Sequence, residues 1–434
     1  MTYPAGPKGL RVFSYVGGGN KGRLAGWGRL LQEYGDLIYA QILGKDYYLL
    51  NHPDLIKAVL VDHNDDLAKI QIGKKPARIP DVGAVTADKA YHRQMRKLLQ
   101  PAFQPAKLAP YTRFMIDHTA TLLDMWKTGD VVDVSEAMTS LTLTIVGQAL
   151  FSADMSNKAD SMGESVRVVA EYLAKPSALP LPTRRNIGAL NAWMSFDKII
   201  KTIIKERQAS QTYPDDLLSV ILQSVDNTDG FRLTDEQAHG LVIALFVAGH
   251  ETTAIALAWT FELLARHPHI QEALYHQIKQ VAGDAPLSAD MLPNIPLADF
   301  VVREAMRLYP PAWALVRQVA IPFDLRGYTI PTGAILLMSP YIMGHDARFF
   351  PSPNEFMPQR WENADDIPRY AYFPFGGGVH VCIGQFFAML EAQLIVTMVV
   401  QRFSLAPMRD TPTDINPLIT LHPALPIHLR VVAR

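Results

Sequence analysis

With 41 Lys and Arg set against 42 Asp and Glu over 434 residues, this chain is close to electroneutral, which argues against a nucleic-acid partner. Apolar residues make up 49% and charged residues 19%, enough for a large core and far from a disordered composition. A single cysteine rules out any intramolecular disulfide and fits a reducing compartment.

Residues 1–28 place Pro or Gly every few positions and contain no apolar run long enough to cross a bilayer, so neither a signal peptide nor an anchor is expected and the protein reads as soluble. Helical periodicity follows at 26–34, 53–62, 89–99, 108–126, 134–151, 161–173, 187–207, 215–223, 234–267, 268–281 and 297–308. Runs with strand character lie at 37–42, 47–50, 316–321, 335–339 and 427–431. The expected class is mainly α with small β-sheets at one side. No Gly/Ser linker, charge block or internal repeat appears, so a single domain over 1–434 is expected.

Four segments carry chemistry. YHRQMRKLLQPAF, Tyr91 to Phe103, is an amphipathic basic helix that ends before Pro101. The stretch from Leu241 to Pro268 is almost continuously apolar and reads as a long buried helix, opened by a capping box of Thr234 and Gln237. Its centre nevertheless holds the polar insert Ala248-Gly249-His250-Glu251-Thr252-Thr253. Small residues at Ala248 and Gly249 leave room for a ligand. The Thr252 hydroxyl can bond back to the carbonyl four residues earlier, distort the helix and open a hydrated groove. In FVVREAMRLYPP, Glu304 and Arg307 are three apart on one helix face and can pair, although most such pairs are solvated and worth little.

The cysteine itself, Cys382, stands in FPFGGGVHVCIG. Gly376, Gly377, Gly378 and Gly384 let the backbone pass close to a flat macrocycle or take positive φ, and Phe375 supplies a hydrophobic wall. The helix-forming run Gln385 to Val400 begins just beyond, and its free amides and dipole would lower the thiol pKa. An isolated cysteine is more often a small buried hydrophobe. This one is placed as an axial thiolate ligand for a haem iron.

The segment resembles the haem-binding signature of the cytochrome P-450 superfamily: Phe375 seven residues before the cysteine, Gly378 four before, His380 two before, Gly384 two after and Ala388 six after. The other three segments fall in the order and spacing of that family, so the resemblance extends over essentially the whole chain from about residue 30 onward. It implies a P-450 fold around one haem b, with Cys382 on the metal. Phe375, Gly378, Gly384, Ala388, Ala248 and Gly249 would line the cofactor. His92, Arg96, Arg317 and His380 match the family's propionate ligands, with His92 standing where many relatives carry Trp and His380 where many carry Arg. Glu304 and Arg307 would be joined by Arg360, from FMPQRW, in a clamp that holds the proximal haem face. Glu251 and Thr252 resemble the catalytic acid–alcohol pair that feeds protons for O–O cleavage.

The activity so implied is that of a haem-thiolate monooxygenase. It splits O2, inserts one atom into a C–H or C=C bond and releases the other as water. Electrons would come from NAD(P)H through a separate ferredoxin or flavodoxin with its reductase, and Arg93 and Lys97 are candidates for docking an acidic partner. A peroxide-using enzyme would be expected to replace the acid–alcohol pair, and a gas sensor would need a signalling module. Candidate substrate-lining stretches are 69–86, 166–185, 241–252, 312–316 and 417–421, among them Ala248, Ala312, Trp313, Leu315 and Val316. Their apolar character suits a hydrophobic small molecule. The AGHETT form resembles fatty-acid-hydroxylating and related branches more than the camphor-type branch, which implies a lipid, fatty acid or terpenoid substrate. Without an anchor the chain resembles the bacterial members, free in the cytoplasm.

Overall fold

The computed structural model describes residues 2–16, 19–68, 89–152, 165, 168, 184–225 and 230–434. The chain divides into two compact units, Met1–Ile72, Arg303–Cys382 and Asp414–Ala424 in the first, Gly73–Val302, Ile383–Thr413 and Leu425–Arg434 in the second. Helix predominates and the sheets are small, as expected.

The first unit is built on a five-stranded sheet. Strands β1 (Leu37–Ile42) and β2 (Lys45–Leu50) form a hairpin whose turn residues, Leu43 and Gly44, have φ of 50° and 76°, the left-handed pair that matches strand twist. With β3 (Leu67–Ala68), β5 (Leu315–Val319) and β8 (Ile335–Met338), the order is β1-β2-β8-β5-β3, parallel only between β2 and β8. Tyr48, Leu50, Leu336 and Met338 bury one face of this sheet in a core that also contains Tyr370 and Phe373. Phe373 lies just ahead of the cysteine loop, so the loop springs from a packed base. Two further hairpins belong here, β6 (Phe323–Leu325) with β7 (Tyr328–Ile330), and β10 (Ile415–Pro417) with β11 (Leu421–Pro423). Helix α1 (Gly19–Tyr34) starts seven residues earlier than its periodicity indicates. A Cβ on Gly26 would lie 1.8 Å from Tyr15 O, so this glycine serves close packing, and tertiary contact overrides its low helix propensity.

The second unit is helical: α2 (Lys89–Leu99), α3 (Ala109–Met125), α4 (Val134–Phe151), α5 (Arg184–Ser210), α6 (Asp235–Arg266), α7 (Pro268–Ala282) and α9 (Gln385–Arg402). Helix α8 (Pro296–Leu308) runs up to and across the boundary between the units. The unit also carries a sheet of β4 (Val131–Asp133), β12 (His428–Ala433) and β9 (Phe403–Pro407). The capping box at Thr234 and Gln237 is present, with both reciprocal hydrogen bonds made. Among the described residues α6 is the helix long and apolar enough to cross a membrane, yet 67% of its most apolar window is buried within the protein. It is the core helix of this unit. Its backbone stays α-helical from Asp235 to Arg266, so the local distortion expected at the polar insert does not interrupt it. Of the predicted helix 161–173 only Ser165 and Val168 fall within the described residues.

Candidate active site

In the first unit the loop from Phe375 to Cys382 is shaped by its glycines. Gly376 and Gly378 have φ of 75° and 62°, and a Cβ on Gly378 would lie 1.9 Å from Leu60 O, so no other residue fits there without moving the Leu60 backbone. Gly377 is similarly closed in by the Tyr370 ring at 2.6 Å. Cys382 N donates to Phe375 O at 2.9 Å, which closes the loop and leaves the thiol exposed. His380 ends the short turn Gly378–His380, half-buried, beside an exposed Val379.

Leu315, at the start of β5, packs beside the same loop, its Cδ1 lying 3.9 Å from where a Gly376 Cβ would stand. Arg317, two residues on, makes one hydrogen bond, to the carbonyl of its own neighbour Val316 at 3.0 Å. Among the described residues no carboxylate pairs with it, and burial lowers its pKa. A half-buried guanidinium without a counter-ion is suited to an anionic group from outside the chain. Together with the sole, exposed thiol of the protein, it fits the iron and the propionate arms of a haem.

Trp313 fixes the wall next to this strand. Its Nε1 donates to Leu418 O at 2.9 Å, Leu421 N donates to Pro311 O at 3.0 Å, and Ser339 Oγ donates to Trp313 O at 2.6 Å. The predicted stretches 312–316 and 417–421 are therefore tied to each other, with Ala312, Trp313, Leu315 and Val316 all half-buried. The indole also tilts against Trp27 of α1, with centroids 6.0 Å apart. Sequence spacing carried no sign of that contact.

The clamp is complete. Glu304 is fully buried and accepts five hydrogen bonds: from Arg307 Nε and Nη2, Arg360 Nε, Met357 N and Trp361 Nε1, all between 2.8 and 3.0 Å. Arg307 spends its other donor capacity on the carbonyls of Gly344, Pro353 and Glu355. Gly344 is required here, since a Cβ would stand 2.4 Å from Arg307 O. Motif spacing pointed to Glu304, Arg307 and Arg360 but missed Trp361, although it directly follows Arg360 in FMPQRW.

In the second unit the polar insert sits on α6. Leu245, Ala248, Gly249 and Thr252 follow the i, i+3, i+4, i+7 spacing and, with Val247 and Glu251 beside them, open the buried middle of this helix, Ala248 exposed and the others half-buried. Thr252 Oγ1 donates to Ala248 O at 2.8 Å, the back-bond its position in the sequence suggests. Glu251 is half-buried next to it. Gly249 has another duty than leaving room: a Cβ there would meet Val146 Cγ2 of α4 at 2.8 Å. His92 is buried and Arg96 half-buried on α2, while Arg93 and Lys97 are exposed one turn apart. Gly384 caps α9 and Ala388 lies in its first turn. Of the other predicted lining stretches, 69–86 lies outside the described residues, as does 166–185 apart from Val168, Arg184 and Arg185.

The sequence matches the Cytochrome P450 family profile over residues 4–430. It is 33% identical over 402 residues to cyclooctatin synthase of Streptomyces melanosporofaciens, covering 90% of this chain and 87% of that one. It is also 33% identical over 420 residues to pentalenene oxygenase of Streptomyces avermitilis, covering 93% and 92%. The crystal structure of the cytochrome P450DA heme domain superposes with a TM-score of 0.89 at 23% identity, covering 100% of this chain and 98% of that one, and speaks for the fold alone. A family match across nearly the whole sequence, joined to relatives above 30% identity, shows that the chain belongs to the cytochrome P450 family, as one of its monooxygenases.

Proposed function

We propose that the protein hydroxylates or otherwise oxygenates a polycyclic terpenoid hydrocarbon or its partly oxidised derivative. The observation that carries this reading is the similarity to two relatives whose names specify cyclooctatin and pentalenene, over about nine-tenths of the chain. Support comes from the apolar wall at Trp313, Leu315 and Val316, which suits a rigid hydrocarbon that offers few polar groups.

When bound, haem supplies the site at which O2 is reduced with two electrons and split. The chain's own residues do the rest. Cys382 would give the thiolate, and in the first unit Arg317 and His380, in the second His92 and Arg96, are the residues that would supply positive charge and hydrogen-bond donors to propionates. Ala248 keeps the stripe on α6 free of bulk where substrate must approach. Thr252 holds a hydroxyl proton at Oγ1, parked on Ala248 O and free to rotate toward a stronger acceptor. Glu251 passes protons to it from solvent. Electrons derive from NAD(P)H through a ferredoxin or flavodoxin and its reductase, and the exposed pair Arg93 and Lys97 favours an acidic docking face.

The test is a titration of the haem protein with terpene hydrocarbons, terpene alcohols and long-chain fatty acids, reading the absorbance change that follows loss of the water ligand. Hits then enter a reconstituted turnover with product identification. Tightest binding and oxygenation within the terpenoid set supports the reading. Tighter binding of fatty acids, with their hydroxylation, would replace it.

A further inference from the structure

The packing of α4 against α6 contains a hydrogen bond that neither helix needs for itself. Thr142, on α4, is fully buried, and its Oγ1 lies 3.1 Å from the carbonyl oxygen of His250 on α6. The same hydroxyl lies 2.9 Å from Met138 O and 3.3 Å from Thr139 O in its own helix. A hydroxyl carries one proton, so Thr142 can satisfy only one of these carbonyls fully at a time. The within-helix bond is the default for a buried threonine. The bond to His250 is an addition to the regular ladder, in which that carbonyl already accepts from the N–H four residues on, at Ala254.

A second donor on a helical carbonyl tilts it outward and lengthens the bond it makes within the helix. The carbonyl of His250 and the N–H of Glu251 are two ends of one planar peptide. Rotating that plane changes the backbone angle from which the Glu251 side chain leaves the helix. His250 is held on its other side too. Its Nδ1 lies 2.9 Å from Phe246 O, its ring packs 5.5 Å from the Phe246 ring, and burial lowers its pKa. One turn of α4 further on, Val146 closes against Gly249. Thr142 and Val146, four apart, thus grip the two residues that precede Glu251.

We propose that Thr142 is a positioning residue for the oxygen chemistry: by donating to His250 O it sets the plane of the His250–Glu251 peptide and so aims the Glu251 carboxyl that supplies protons to Thr252. This rests on Glu251 acting as the proton-relaying acid. Of its three acceptors Met138 O, at 2.9 Å, and His250 O, at 3.1 Å, are nearly equidistant, so the hydroxyl can also release His250 O when the turn must relax.

The experiment compares Thr142→Val, which keeps the shape and deletes the hydroxyl, with Thr142→Ser, which keeps the hydroxyl, in the haem-loaded protein. Peptide-level amide exchange over residues 250–258 is read first. Losing the competing donor shortens the bond from Ala254 N–H, and exchange there should slow in the Val variant, by less than the about fivefold that making one whole hydrogen bond of ordinary strength carries. Product formed per NAD(P)H oxidised should fall severalfold in Thr142→Val, with hydrogen peroxide rising to match, and Thr142→Ser should restore both. In a Glu251→Gln background Thr142→Val should produce no further loss, because the group being aimed no longer relays protons. Unchanged exchange in Thr142→Val, or an equal loss of coupling in both backgrounds, overturns the proposal. If Glu251→Gln alone leaves coupling intact, it is the proton-relay reading that fails, and the exchange result still decides the Thr142 bond. Should Val reduce haem loading, Thr142→Ala deletes the same hydroxyl from a smaller side chain and is read in the same way.

Discussion

Arg360 donates through Nε to Glu304 Oε1 at 2.9 Å, and that oxygen already accepts from Arg307 Nη2 at 2.8 Å and from Met357 N at 2.9 Å. Two guanidinium groups therefore share one buried carboxylate. Glu304→Ala would leave Arg307, which is 1% exposed, without its counter-ion, and should cost about 3–5 kcal/mol. Arg307→Ala should cost a similar amount and reduce haem incorporation and soluble yield. Arg360→Ala should cost less, because its remaining bonds to Pro351 O and Ser352 O lie at the surface. Urea unfolding with haem content measured in parallel gives the ranking. Normal stability and haem content with lost activity in Arg307→Ala would point to a catalytic role for the pair.

Cys382→Ser should yield protein without the ferrous–CO absorption band typical of thiolate ligation, since an alcohol does not ionise to take the thiolate's place. The loop itself should persist, because the Cys382 N to Phe375 O bond and the positive-φ glycines do not involve the sulfur. An unaltered band in the variant removes Cys382 as the ligand.

Motifs with fixed internal spacing were legible in the sequence because local geometry alone creates their contacts. Glu304 reaches Arg307 over one helical turn, Thr252 reaches Ala248 O over another, and the capping box at Thr234 closes within four residues. Helix α4 follows its periodicity residue for residue, and β1 does the same, since each has one apolar pattern and clear breakers at its ends. What the sequence concealed is long-range. Trp313 meets Leu418 O across 105 residues and Thr142 meets His250 O across 108, and no period connects such pairs. Short strands such as β6, β7, β10 and β11 were passed over because three residues make no alternation. The spacing offers Gly249 as room for a ligand, and the packing adds that a Cβ there would stand 2.8 Å from Val146 Cγ2.

Replacing Trp313 by Phe keeps an aromatic ring against Trp27 and removes the hydrogen bond to Leu418 O. The loss of one such bond is worth about 1 kcal/mol. The β10–β11 hairpin should then hold its place less tightly against residues 311–313, with the substrate dissociation constant rising about fivefold. Haem content should not change. The ratio of product regioisomers should broaden, because the wall that orients the substrate has loosened. Wild-type binding and an unchanged product ratio in Trp313→Phe would exclude this pair from substrate orientation.

Half-buried His345 and buried Glu391 titrate in opposite senses. Burial lowers the His345 pKa from 6.5 to about 4, with Nδ1 held on Tyr341 O. The unfolded chain thus binds a proton that the native state refuses, so stability should fall as pH drops from 6.5 towards 4. Glu391 on α9 is buried and burial pushes its pKa well above 4.5, so the native state holds a proton that the unfolded chain releases, and stability is lost as pH rises above 4.5. Its Oε1 has no hydrogen-bond partner among the described residues. Glu391→Gln, which cannot ionise, should therefore raise the melting temperature at pH 8 more than at pH 5, while His345→Gln should flatten the acid limb. Melting curves across this range check both. A gain from Glu391→Gln that does not depend on pH would mean the carboxyl is not held neutral.

Thr252 tests the mechanism itself. If its hydroxyl delivers the proton that Glu251 supplies, Thr252→Ala should still take up haem, bind substrate and consume NAD(P)H. Its back-bond to Ala248 O at 2.8 Å supports no other element, so the fold should not depend on it. Product should nevertheless fall and hydrogen peroxide rise, because Thr252 Oγ1 would no longer hold a proton for the O–O cleavage that a bound haem would support. Glu251→Gln should act earlier, slowing turnover with a larger solvent isotope effect. The decisive measurement is product formed per NAD(P)H oxidised, with peroxide determined in the same reaction. Unaltered coupling in Thr252→Ala would transfer proton delivery to another hydroxyl, and Thr253, which donates to Gly249 O at 3.2 Å on the adjacent face, is the first to substitute next. Loss of substrate binding in Thr252→Ala would instead make the residue a packing element of the stripe on α6.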